Sequence, residues 1–137
     1  MTDLPAFVFD TFAVLAYLQD EVGASRVGTM LENAANKKCR LLVSIINLGE
    51  LLYIIERRGG VAKAQDVLAL LRQLPIDTLS ADEQAVFSAA HIKANHALSY
   101  ADAFVVAAAI REGAVIVTSD PEFKSVESIV KVEWLKK

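Results

Sequence analysis

A chain of 137 residues, 54% of them hydrophobic, is one domain (1–137) with enough apolar material to bury a core. One cysteine, Cys39, excludes an internal disulfide, and a net charge of −3 argues against the plain basic excess of a nucleic-acid binder. The longest apolar run, residues 41–55, is broken by Asn47 and Glu50 and is too short for a membrane-spanning helix of about 20 residues.

The start carries an acid and no basic segment ahead of an apolar run, unlike a secretory signal, so the expected location is the cytoplasm, with no membrane contact. A lone cysteine fits that reducing compartment, and Cys39 reads as a small buried hydrophobe. Residues 6–9 form a short apolar run that ends in Asp10, and helical spacing of Phe12, Leu15 and Ala16 follows. Asp10 is a natural N-cap for that helix. A second helix is predicted over 24–35, burying Val27, Met30 and Leu31, and a second buried strand over 41–44.

The helix predicted over 45–58 places Asn47 and Glu50 on one face, one turn apart, among apolar neighbours. Gly59 and Gly60 break the chain before a helix over 61–73 that buries Val67, Leu68, Leu70 and Leu71 and stops ahead of Pro75. A third strand is predicted at 76–79. Ser80-Ala81-Asp82-Glu83 reads as a capping box opening a helix to about Asn95. His91 and His96 have no metal-ligand spacing and read as surface or helix-end residues.

Ser99-Tyr100-Ala101-Asp102 reads as another capping box, opening a small-residue apolar helix that stops at Gly113. The helix dipole is expected to hold Asp102 ionised. Residues 114–117 then form a buried strand running into Thr118-Ser119-Asp120-Pro121, and a last strand is predicted at 129–132, before the basic end Lys136-Lys137. Strands alternating with helices predict an α/β fold, a central, mostly parallel sheet of four to five short strands flanked by helices.

A parallel sheet aligns the carboxyl ends of its strands along one edge, so Asp10, Glu50, Asp102 and Asp120 can converge there. Two unit charges about 4 Å apart repel by about 4 kcal/mol at an effective dielectric near 20, so such a cluster calls for a cation. An all-oxygen donor set selects Mg²⁺ or Mn²⁺. With four carboxylates committed to ions, 17 acidic residues less four leaves 13 against 14 basic ones, and a polyanionic substrate is no longer disfavoured.

Asp10-Thr11 after an apolar strand, Asn47-Leu48-Gly49-Glu50 on a helix, Leu98-Ser99-Tyr100-Ala101-Asp102-Ala103, and Thr118-Ser119-Asp120-Pro121-Glu122-Phe123 together resemble the PIN-domain nucleases. Within them the chain is most similar to the VapC-like toxins of toxin–antitoxin pairs. The likeness spans essentially the whole chain, and it rests on the ordered set rather than on any one motif. It implies a Mg²⁺- or Mn²⁺-dependent endoribonuclease whose acidic quartet is Asp10, Glu50, Asp102 and Asp120, as ligands and catalytic groups. Thr11, Asn47, Thr118 and Ser119 would be its supporting polar residues. It also implies an RNA substrate, a homodimer and a cognate antitoxin. Where relatives often carry a further Asp two residues after the last acid, this chain has Glu122, a possible fifth ligand.

Two other classes compete with this reading. A PIN-like binding module without catalysis would use the apolar helix over 45–55, and the four intact acids count against it. A haloacid-dehalogenase phosphatase needs Asp-x-Asp, and position 12 is Phe; a receiver domain needs a paired acid and a late Lys. Dimer or antitoxin contacts are expected on the helices either side of Gly59-Gly60. The sequence shows no aromatic–basic platform for RNA.

Overall fold

Ala6–Phe9 (β1) has three buried side chains and a half-buried Phe7, the burial of a strand covered on both faces. The computed structural model describes residues 4–136; Met1, Thr2 and Asp3 of the start and Lys137 of the basic end lie outside the described residues. β1 is joined by β2 (Arg40–Ser44), β3 (Asp77–Leu79), β4 (Val115–Thr118) and β5 (Val132–Trp134). Among the described residues these form a five-stranded sheet, order β3-β2-β1-β4-β5, with every pair parallel. The predicted α/β architecture is the observed one.

Six helices connect the strands: α1 (Thr11–Leu18), α2 (Ala24–Ala35), α3 (Ile45–Gly59), α4 (Val61–Leu71), α5 (Glu83–Asn95) and α6 (Tyr100–Glu112). Strand periodicity splits the core in two. Val8, in register with Leu42 and Ile116, faces one cluster with α5 and α6; Phe9 and Val117 face the other, with α1 to α4. The right-handed crossover rule accounts for this, because the chain steps outward from β1 to β3 and then returns past β1 to β4. That reversal puts the topological switch point between β1 and β4, where α/β sheets bind ligands.

Helix α6 is buried continuously from Asp102 to Ala109, and Gly113, at φ 63°, ends it in the left-handed conformation. Gly60 links α3 to α4 at φ 90° and ψ 168°, a region essentially confined to glycine. No atom lies within 4 Å of a Cβ built there, so Gly60→Ala adds backbone strain without a clash. The variant is expected to lose about 1–3 kcal/mol in urea denaturation; an unchanged midpoint would contradict this.

Several boundaries and faces differ from expectation. Asp82, not Ser80, caps α5: its Oδ1 accepts from Ala85 N at 2.8 Å, so Ser80-Ala81 stays outside the helix. Helix α4 ends at Leu71, with Gln73 and Leu74 in turn bonds to Leu70 and Leu71, and Leu70 is exposed. β3 begins at Asp77 rather than residue 76, since Ile76 N bonds back to Leu74 O. The last strand is Val132–Trp134, because Ile129 N and Val130 N bond back to Val126 O and keep 129–130 in a turn. Phe12, at helical spacing with buried Leu15 and Ala16, is itself 42% exposed.

Candidate active site

The acids arrive at the switch point from the carboxyl ends of strands and the N-terminal halves of helices. Asp10 ends β1 and caps α1: Oδ1 accepts from Ala13 N at 2.8 Å, and Oδ2 accepts from the Thr118 hydroxyl at 2.6 Å. It is fully buried. Both its oxygens are thereby oriented, one by its own helix and one by the next strand. Thr118, at the end of β4, also accepts from Asp120 N at 2.9 Å, so one hydroxyl ties two of the acids together. Asp120 Oδ1 in turn accepts from Glu122 N at 2.9 Å, capping the short 3₁₀ helix Pro121–Val126.

Asp102 lies in the first turn of α6, where its backbone N–H donates to Ser99 Oγ at 3.1 Å. The expected reciprocal half of the capping box is absent among the described residues. Ser99 N donates instead to Glu122 Oε1 at 3.1 Å, which draws the 3₁₀ helix against α6. Asp102, Asp120 and Glu122 each place a carboxylate oxygen within 4.8 Å of the others. Glu122, the doubtful ligand by sequence, is thus in the tightest group.

Glu50, half-buried on α3, accepts at Oε1 from Thr11 Oγ1 at 2.5 Å. Asn47, one turn earlier and buried, donates from Nδ2 to Ala101 O at 3.2 Å and to Thr11 Oγ1 at 3.4 Å. It therefore clamps α3 to the start of α6, and its Oδ1 is buried without a partner. Ser119 is half-buried beside Asp120 and takes no part in these bonds. All eight residues singled out by sequence, and Glu122, therefore lie on elements meeting at this edge.

The electrostatics are those of a site short of positive charge. Asp10 is raised from 3.8 to about 7, first by desolvation; Thr118 and Ala13 oppose the rise, and the charges of Asp120 and Glu50 add to it. Asp102 is also raised to about 7, by desolvation and then by Asp10 and Asp120. The helix dipole was expected to hold Asp102 ionised; burial and like charge outweigh it. Hard oxygen donors, three of them mutually close and two more coupled to them by charge, fit a divalent cation such as Mg²⁺ or Mn²⁺.

His91 is exposed, His96 contributes a ring nitrogen to Ser125 O at 3.1 Å, and neither joins the close group of acids. Cys39 is buried, with its thiol raised by desolvation. No helix among the described residues is long and apolar enough to cross a membrane.

No curated protein sequence matches the chain. Solved structures do. One is VapBC2 from Rickettsia felis, bound to a DNA fragment from their promoter, with TM-score 0.75, 18% identity, and 96% of this chain and 99% of that one covered. DNA-bound VapBC from Salmonella typhimurium gives TM-score 0.73 at 21% identity, covering 95% and 98%. VapC20 from Mycobacterium tuberculosis, a sarcin–ricin loop cleaving toxin, gives 0.66 at 22%, covering 88% and 94%. The PIN domain model matches residues 7–129, from β1 through the 3₁₀ helix that bears Glu122. Fold, strand order and that match agree: the chain belongs to the PIN domain family.

Proposed function

We propose that this protein is a metal-dependent endoribonuclease, hydrolysing RNA phosphodiester bonds with Mg²⁺ or Mn²⁺, and the toxin of a toxin–antitoxin pair acting in the cytoplasm. The observation that carries the reading is the grouping of Asp102, Asp120 and Glu122, with buried Asp10 and half-buried Glu50 coupled to it by charge. A bound divalent ion supplies Lewis acidity at the phosphate and lowers the pKa of a water. Asp102, Asp120 and Glu122 are the groups placed to hold it. Ala13 N and the Thr118 hydroxyl fix the two Asp10 oxygens, and Thr11 fixes Glu50 through Oε1, leaving Oε2 as a ligand or proton acceptor.

The toxin role rests on the likeness to chains of VapBC assemblies and to an RNA-cleaving toxin. A protein antitoxin and a homodimer follow from the same reading. Exposed Tyr53, Val61 and Leu70 on the helices flanking Gly60 are the apolar surface such partners would cover. Sedimentation equilibrium giving only monomer at micromolar concentration would remove the dimer. For the activity, bulk RNA is incubated with Mg²⁺ or Mn²⁺, with an EDTA control and an Asp10→Asn/Asp120→Asn variant. Cleavage abolished by both controls is expected. Cleavage that survives the double variant would sink the assignment; no cleavage together with no Mn²⁺ uptake by calorimetry would favour a binding module.

A further inference from the structure

A scissile phosphate held at the acids keeps its neighbouring nucleotides close to them, and the surface next to Asp120 is one that such a nucleotide can reach. That surface is a groove of about 800 Å³, a volume that suits a small ligand group. Its lining includes Ser119 and Asp120 at the active-site end and Phe12, Arg58 and Lys136 elsewhere. Phe12 stands two residues beyond Asp10 on α1, and a core role would have buried it rather than leaving it 42% exposed.

Arg58 and Lys136 form no ion pair among the described residues. Asp20 and Glu21 share the groove. Gln19, with its amide turned to satisfy both ends, donates to Glu21 Oε2 at 2.8 Å and accepts from Arg58 Nη1 at 3.0 Å. That neutral bridge orients both the guanidinium and the Glu21 carboxylate and leaves both charges in place. A part-exposed aromatic side chain with cations in the same groove, beside a candidate phosphodiester-cutting centre, is what an unstacked nucleotide needs: π-stacking for the base and positive charge for the backbone.

Resting on the ribonuclease reading, we infer that this groove is a single-stranded RNA subsite. Phe12 stacks on a base adjacent to the cut, and Arg58 and Lys136 take the flanking phosphates. The three residues are far apart in sequence, and the fold brings them together. Phe12 acts as a specificity-determining residue: it selects unpaired RNA over duplex and tolerates any base, because every base offers a π-face.

The test uses the full chain and an end-labelled, mixed-sequence single-stranded decaribonucleotide with Mg²⁺. Binding is read by anisotropy in an Asp102→Asn background, where the RNA stays intact, and cleavage by KM and kcat in the otherwise unaltered enzyme. Phe12→Ala is expected to weaken binding and raise KM about tenfold, with kcat within about twofold. Phe12→Tyr should restore both, whereas Phe12→Leu, apolar but without a ring, should not. Arg58→Gln should lower the salt dependence of binding by about one ion. Phe87→Ala, on the separate groove between α5 and α6, should change nothing.

Binding and KM indifferent to Phe12→Ala would overturn the proposal. So would rescue by Phe12→Leu, because bare apolar contact is what a docked protein segment would use. Cleavage that proceeds regardless of Phe12 fails this inference alone. Phe12-dependent RNA binding by an enzyme that cuts nothing fails the nuclease reading and leaves the subsite standing.

Discussion

Asp102→Asn is expected to lower metal-dependent RNA cleavage about a thousandfold or more and, in the same protein, to raise metal-free stability at pH 8. The two effects have one cause. Asp102 is buried with its pKa near 7 because desolvation and the charges of Asp10 and Asp120 oppose ionisation. At pH 8 it is nonetheless mostly ionised, and the fold bears that repulsion. Asparagine has the same shape and no charge. It relieves about 1–3 kcal/mol, seen as a rise of several degrees in Tm with EDTA present. It also removes a charged oxygen from the trio with Asp120 and Glu122, where loss of a preorganised charge costs the reaction several kcal/mol. At pH 5.5 the stability gain should shrink to about half, because the native carboxyl is protonated there while the unfolded one, at 3.8, is still ionised, and it should vanish only below about pH 4. A variant that is inactive but less stable at both pH values would point to a packing role instead.

The metal-free protein should grow less stable as pH rises from about 5.5 to 8, the opposite of the usual trend for surface acids. Asp10 and Asp102 titrate near 7 in the native state and from 3.8 when unfolded. Between those values the native chain holds more protons than the unfolded one. Its stability is therefore complete at low pH and declines through pH 7, with a slope of up to about 1.4 kcal/mol per pH unit for each group. Divalent ions should reverse the trend, because they bind the deprotonated acids and stabilise only the folded state. Melting curves at pH 5.5, 7 and 8, with EDTA and with 10-fold steps of Mg²⁺, measure this. A flat EDTA series would mean that the acids are more solvated than their burial indicates.

Asp10 and Asp120 were legible in the sequence because each follows an uninterrupted apolar run, and a parallel sheet brings such ends together. Glu50 stood out as a charge among apolar helix residues. Thr118 and Glu122 were named by the family resemblance, but which atoms they would bond was not legible. The hydroxyl of Thr118 reaches Asp10 across 108 positions, and only the β1–β4 register creates that contact. Glu122 joined the site through Ser99, a backbone donor that a capping box would have assigned to Asp102. Local rules also assigned the ionisation of Asp102 to its helix dipole, since desolvation depends on neighbours that the sequence does not list. Phe12 escaped for the opposite reason: helical spacing placed it with Leu15 and Ala16 and said nothing of its exposure, and it lines the groove part-exposed.

The pairing of β1 with β4 has a consequence for the timing of biosynthesis. β1 has one sheet neighbour at residues 40–44 and the other at 115–118, so this central strand waits for residues 115–118 before its second edge is closed. Asp10 acquires its Thr118 partner, and the site acquires Asp120 and Glu122, in that same late event. Long-range closure of this kind is slow, and no shorter nascent fragment contains the full set of acids. On the ribonuclease reading, such a protein is expected to stay inert until this closure is complete.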